Sequence, residues 1–151
     1  MPLKESATTI SLTGKPTKLI LLGEDDADDE ELLKEVFIHI DNSFDILFAN
    51  NGRKLVAHLE QLENDDLPCL IILDYNMPEL NGAEILKALK ENSRYNTIPK
   101  IIWSTSGSET YKKICLELGA CEYIIKPSSY QGLKETARHM LSFCSLKQAG
   151  R

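Results

Sequence analysis

No stretch of this 151-residue chain is apolar for long enough to span a bilayer. The longest apolar runs, Leu19–Leu22 and Cys69–Leu73, are strand-length, against the roughly 20 residues a membrane helix needs. Residues 1–17 hold no apolar segment of the kind that directs secretion, so a cytoplasmic protein with no membrane association is expected. Basic residues are outnumbered: 17 Lys and Arg face 23 Asp and Glu, for a net charge of −6. An acidic surface repels nucleic acid and anionic lipid, so neither is expected as a direct partner. Cysteine is scarce and scattered. Cys69, Cys115, Cys121 and Cys144 form no C-x-x-C pair, and His39, His58 and His139 cluster neither with them nor with one another. A structural zinc site is therefore excluded, and the four cysteines are expected to be buried, reduced thiols. Internal repeats and low-complexity segments are also lacking.

What is present suffices for one well-cored domain. Hydrophobic residues make up 42% of the chain, and a chain of this size hides roughly two thirds of its unfolded surface. Residues 1–17, polar and carrying Pro2, Gly14 and Pro16, read as a flexible N-terminal tail. Residues 145–151 read as a polar C-terminal tail, leaving 18–144 as the folded domain. Within it two periods alternate. Strand-length runs fall at 18–23, 44–49, 69–74, 100–104 and 122–125, and the first, third and fourth are continuously apolar, as in strands buried on both faces. Helical stripes lie between and after them. They are Leu32, Leu33, Val36, Phe37 and Ile40; Leu55, Val56, Leu59 and Leu62; Ile85, Leu86 and Leu89; Tyr111, Ile114, Cys115 and Leu118; and Leu133, Ala137, Met140 and Leu141. Asn51-Gly52 and Asn81-Gly82 open helices and Gly119 closes one. Five βα units in series predict an α/β fold, a doubly wound five-stranded parallel sheet with right-handed crossovers.

In such sheets ligands bind beyond the carboxyl ends of the strands. The first strand ends in Glu24-Asp25-Asp26, the third in Asp74, the fourth in Ser104-Thr105 and the fifth in Lys126-Pro127. Crowded carboxylates repel one another unless a cation intervenes, and an all-oxygen set suits a hard dication such as Mg²⁺. An ammonium and a hydroxyl opposite the metal suit the remaining oxygens of a phosphoryl group, and a carboxylate is a competent nucleophile toward phosphorus. Asp74, on the strand between the first and the fourth, is the natural acceptor. Each residue alone has a blander reading: Asp74 as a turn residue, Lys126 as a surface lysine, Ser104 as a strand-end hydroxyl. Seven of the eight residues from Glu24 to Glu31 are acidic, and Asp28, Asp29, Glu30 and Glu31 are expected mainly to complement the dipole of the first helix. The joint occurrence of acid, hydroxyl and ammonium at successive strand ends is what the blander readings leave unexplained.

Four segments together carry a family resemblance: Leu19–Asp26 (LILLGEDD), Ile71–Gly82 (IILDYNMPELNG), Ile98–Thr105 (IPKIIWST) and Leu118–Pro127 (LGACEYIIKP). In this order and spacing they resemble the receiver domain of two-component response regulators, over about residues 18–143. The resemblance implies a flavodoxin-like (βα)₅ sheet with strand order 2-1-3-4-5. It places Asp74 on the phosphoacceptor. Asp25 falls on a direct Mg²⁺ ligand, Glu24 on an acid acting through water, and Asn76 on the position whose backbone carbonyl completes the metal shell. Ser104 and Lys126 fall on the groups that bind the phosphoryl oxygens, and Tyr123 on the aromatic that swings inward as Ser104 moves. The Lys126–Pro127 bond is cis in the family, and the resemblance carries that expectation here. Gly23, Lys100 and Trp103 depart from the family pattern. Gly23 is expected to loosen the strand end or to admit a partner, Trp103 to face a helix layer opposite Ser104, and Lys100 has no functional account.

The function so implied is that of a single-domain response regulator. A histidine kinase or phosphotransfer protein donates the phosphoryl group in a Mg²⁺-dependent reaction, and the signal passes in trans to a separate protein target, since no output domain follows. Tyr111, Lys112, Lys113, Glu122 and Tyr123 are candidates for the surface that target reads. The chain is not expected to be an enzyme beyond phosphorylating and dephosphorylating its own aspartate. Three rival readings meet specific residues. A phosphohydrolase of the haloacid dehalogenase type wants an acid two positions after its nucleophile, where this chain has Asn76. A flavodoxin-like cofactor binder wants a phosphate-cradling loop where this chain has Glu24-Asp25-Asp26. A receiver that signals without phosphorylation would not need the intact acid, serine and lysine set.

Overall fold

The computed structural model describes residues 18–149, with side chains through Cys144. The N-terminal tail expected over 1–17 lies outside the described residues. Five strands alternate with five helices: β1 (Lys18–Gly23), α1 (Ala27–Ile40), β2 (Phe44–Ala49), α2 (Gly52–Gln61), β3 (Leu70–Asp74), α3 (Gly82–Lys90), β4 (Lys100–Ser104), α4 (Glu109–Glu117), β5 (Glu122–Ile125) and α5 (Tyr130–Ala149). Short 3₁₀ turns at Asn64–Asp66 and Ser93–Tyr95 lead into β3 and β4. All strand pairs are parallel, in the order β2-β1-β3-β4-β5. The backbone of α5 continues to Ala149, past the expected domain boundary at residue 144.

Each strand sends alternate side chains to opposite faces, which makes two cores. On one face Ile20, Leu22, Leu70, Ile72, Ile101 and Trp103 pack with Leu33, Val36 and Phe37 of α1 and with Leu133, Ala137 and Met140 of α5. On the other Leu21, Ile71, Leu73 and Ile102 pack with Leu55 and Leu59 of α2, Ile85, Leu86 and Leu89 of α3, and Cys115 of α4. Burying β1, β3 and β4 on both faces accounts for their continuous apolar runs. The helices start where the caps dictate. Asp26 accepts from the Asp28 and Asp29 amides, Asn51 from Lys54, Ser108 from Tyr111, and Asn81 with Glu84 forms a reciprocal capping box. Gly119, at φ 108°, takes the left-handed turn that ends α4.

Four expectations change. Cys69 and Cys144 are not free thiols but form a disulfide, Cα to Cα 5.2 Å, joining the entry of β3 to α5; Cys121 is exposed, and only Cys115 is a buried thiol. The pairing depends on where α5 crosses the sheet, which linear spacing does not reveal. Leu32, counted in the α1 stripe, is 41% exposed, because Leu33, Val36 and Phe37 already fill the sheet-facing side. Gly23 neither loosens its strand nor admits a partner: a Cβ there would come within 2.7 Å of Leu55 and 2.8 Å of Met77, so the missing side chain is filled by its own neighbours. Among the described residues no peptide bond is cis, so Lys126–Pro127 is trans, the isomer an isolated X-Pro bond prefers by about 0.5–1 kcal/mol. Trp103 does face a helix layer, on the side of α1 and α5.

Candidate functional site

The register brings the chemistry to one rim. Gly23 lies opposite Leu73, Asp74 opposite Trp103 and Ser104 opposite Ile125, so the strands end nearly level. The Glu24 amide donates to Ala49 O at 3.0 Å, and the Glu24 side chain is buried. Asp25 stays exposed, and Asp26 turns away to cap α1. Asp74, at the end of β3, is 6% exposed, and one of its oxygens accepts from the Asn76 amide at 3.1 Å. Ser104 is fully buried, and its hydroxyl accepts from the Ser106 amide at 3.1 Å. Tyr123 donates its hydroxyl to Ser106 O at 2.8 Å, so the aromatic holds the loop that follows Ser104.

Lys126 sits at the centre. Its backbone amide donates to Ser104 O at 2.8 Å, continuing the β4–β5 ladder by one residue. Its ammonium lies 3.0 Å from Asp74 Oδ2, 3.0 Å from Glu24 Oε1 and 2.8 Å from Asp29 Oδ2. The Trp103 ring lies beneath it, 4.9 Å from ammonium to centroid. Burial favours the neutral amine, but hydrogen bonds to Asp29 and Asp74 and the charges of Glu24 and Asp74 outweigh it and hold Lys126 above its usual range. Glu24 moves the other way from an ordinary acid. Burial, with the Asp74 carboxylate alongside, pushes it up to about 8 despite the attraction of Lys126.

One carboxylate oxygen each from Glu24, Asp25 and Asp74 lie within 4.8 Å of one another. Glu24 Oε1 is buried and accepts no well-directed hydrogen bond, because Lys126 aims its donor at Oε2, 3.3 Å away. A buried carboxylate oxygen without a well-directed donor, in a trio of oxygen ligands this close together, fits a Mg²⁺-type ion.

Of the residues expected here, the structure brings together Glu24, Asp25, Asp74 and Lys126, with Ser104 on the adjoining strand and Asn76 bonded through its amide. Asn76 itself is exposed. Asp29, assigned mainly to the helix dipole, makes the shortest contact to Lys126. The sequence carries no signal for this contact, because it depends on how the first turn of α1 is rotated over the strand ends. Trp103 is the second residue missed, because period-2 reasoning assigned its face but could not show Lys126 reaching across its ring.

The model of the response regulator receiver domain family matches residues 20–138. Response regulator Rcp1 of Synechocystis sp. is 31% identical over 131 residues, covering 85% of this chain and 89% of Rcp1. A probable transcriptional regulatory protein of Picosynechococcus sp. is 33% identical over 119 residues, 76% of this chain, which spans about half (47%) of that relative's length. The phosphorylated cyanobacterial phytochrome response regulator RcpA superposes with a TM-score of 0.75 at 28% identity, covering 83% of this chain and 95% of RcpA. The Mn²⁺-bound form of Rcp1 superposes with a TM-score of 0.74 at 29% identity, covering 83% and 93%.

Proposed function

The chain belongs to the response regulator receiver domain family, and from that membership we propose that it accepts a phosphoryl group on Asp74 and passes the signal to a separate protein. The observation that carries the assignment is the buried Asp74 carboxylate, held 3.0 Å from the Lys126 ammonium and flanked by Glu24 and Asp25. Asp25 and Asp74 would ligate Mg²⁺ directly, Glu24 through water, and Asn76 through its backbone carbonyl. When bound, the ion would offset most of the charge of the acid cluster and draw the donor's phosphoryl oxygens toward Asp74. Asp74 supplies the nucleophilic oxygen. A new O–P bond forms as the bond from phosphorus to the donor breaks, and the donor leaves with the electron pair. Lys126 then pairs with one phosphoryl oxygen, and the Ser104 hydroxyl turns from the Ser106 amide to donate to another.

That turn is the proposed switch. Moving Ser104 disturbs the loop through Ser106, to which Tyr123 is bonded, so charge at Asp74 becomes a change on the α4–β5 surface. Exposed apolar side chains already mark that side: Tyr111 and Ile114 on α4, Ile125 at the end of β5 and Tyr130 at the start of α5. A protein target reading this face would meet these together with Lys112, Lys113, Glu122 and Tyr123. The phosphoryl donor is a histidine kinase or a phosphotransfer protein. No direct contact with nucleic acid is proposed, and the chemistry is confined to the chain's own aspartate. No helix among the described residues is long and apolar enough to cross a membrane, and a cytoplasmic location is proposed.

The test is intact mass after incubation with acetyl phosphate, with and without Mg²⁺, alongside Asp74→Asn. One added phosphoryl group, dependent on Mg²⁺ and absent from the variant, is the expected result. A folded protein that gains none would shift the reading to an interaction module that works without phosphorylation.

A further inference from the structure

The Lys126 ammonium has three N–H donors and three carboxylates around it: Glu24, Asp74 and Asp29. Glu24 and Asp74 belong with Asp25 to the trio that can hold a dication. Asp29 does not. It stands in the first turn of α1, its side chain 34% exposed, and comes closest to Lys126, at 2.8 Å. The face of the buried Trp103 lies below the same ammonium. Neither Asp29 nor Trp103 is needed to bind metal or to attack phosphorus, yet together they fix where the lysine rests.

We propose that Asp29 and the Trp103 ring form a resting cradle for Lys126, in which Asp29 competes with the incoming phosphoryl group for the ammonium. The proposal rests on the reading of Asp74 as acceptor and adds a positioning residue to it. A phosphoryl group brings roughly −1.5 to −2 charges and needs Lys126 donors that Asp29 already engages. Charge works in the same direction. Three carboxylates, those of Glu24, Asp29 and Asp74, contact the ammonium, and Asp25, beside Glu24 and Asp74, brings the local set to four acids and one base. A bound dication leaves this set one charge negative, so an anionic donor meets residual repulsion. Neutralising Asp29 balances the set and releases Lys126. It also takes negative charge away from the dication. The two effects have opposite signs: weaker metal binding and faster phosphoryl acceptance once metal is saturating. A residue that merely stabilised α1 would not separate them.

The experiment uses Asp29→Asn, which keeps the shape and a carbonyl acceptor. Trp103 is the only tryptophan in the chain, so its emission reports the Lys126 environment directly. Mg²⁺ is titrated by that emission, and the initial rate of phosphorylation by acetyl phosphate is measured by intact mass at saturating Mg²⁺. Removing a partly exposed charge a few ångströms away is expected to change each quantity several-fold, about three- to tenfold. The Mg²⁺ Kd should rise, the saturated rate should rise, and the metal-free emission should shift as Lys126 leaves the cradle. Asp28→Asn serves as the control, since Asp28 is an exposed acid of the same helical turn, and it should leave all three nearly unchanged. A saturated rate that is unchanged or lower in Asp29→Asn overturns the proposal, as does an equal effect of Asp28→Asn. If the wild type itself gains no phosphoryl group, the acceptor reading fails, and the competition fails with it. A normal wild-type gain without acceleration in the variant removes the cradle alone.

Discussion

Glu24 is the residue whose state tells most about this rim. Its pKa is raised to about 8 by burial and by Asp74 alongside, whereas in the unfolded chain it titrates near 4.5. The folded state therefore binds more protons than the unfolded state between those values, and stability falls as pH rises through that window. In EDTA, denaturant midpoints should decline from about pH 5 to pH 8, by up to a few kcal/mol of stability from this group. Glu24→Gln should flatten the slope, and Mg²⁺ should restore the stability lost at the alkaline end. An unchanged slope in the variant would mean that another group carries it. The cysteines give a second residue-scale prediction. Burial pushes the Cys115 thiol up to about 11, while Cys121 is exposed. At pH 8 iodoacetamide should modify Cys121 in the native protein and reach Cys115 only on unfolding, as peptide mapping would show. At this scale the sequence was legible for chemistry and opaque for contact. Asp25, Asp74 and Lys126 declare themselves by lying at strand ends, but that Asp29 reaches Lys126 depends on the rotation of α1.

The elements were the most legible level, because burial on one or two faces writes a period into the chain. β1, β3 and β4, buried on both faces, are the continuously apolar runs, and β2, at the sheet edge, alternates more loosely. What periodicity cannot show is why a polar residue stands inside an element. Lys100 opens β4 at 8% exposure, and its ammonium donates to Tyr95 O at 2.7 Å and Ile98 O at 2.9 Å. It ties the strand to the 3₁₀ turn before it, and burial lowers its pKa. Lys100 is thus structural, a role that no periodicity in the chain reveals. Lys100→Met should keep the packed stem but leave the Ile98 carbonyl without this donor, costing about 1–3 kcal/mol in denaturant unfolding. Gly23 is its steric counterpart. Gly23→Val would drive methyl groups into Leu55 and Met77, and overpacking of this kind costs about 1–3 kcal/mol. Acetyl phosphate labelling at Asp74 should survive in Lys100→Met, whose side chain lies at the opposite end of β4 from Ser104.

For the whole molecule, the decisive connection is one that no local pattern announced. The disulfide between Cys69 and Cys144 joins positions 75 residues apart and fastens α5 to the entry of β3. The switch proposed above works at the other end of the sheet, at Asp74, Ser104 and Tyr123. The clamp therefore anchors the amino-terminal edge of the sheet and leaves the functional rim free to move. A loop of this length, closed in the unfolded chain, stabilises the native state by up to about 4.5 kcal/mol, with about 2–4 kcal/mol typical of measured disulfides. Cys69→Ala/Cys144→Ala, or wild type under dithiothreitol, should unfold at correspondingly lower denaturant. Mg²⁺ affinity and the rate of labelling by acetyl phosphate should stay within about twofold of the oxidised protein, because Cys69 enters β3 at the end opposite to Asp74. If stability falls and labelling holds, anchoring and switching are separate properties of one sheet. If labelling falls in step with stability, α5 and the rim move as one body, and the switch must be sought in the whole α5 layer rather than in the loop between Ser104 and α4.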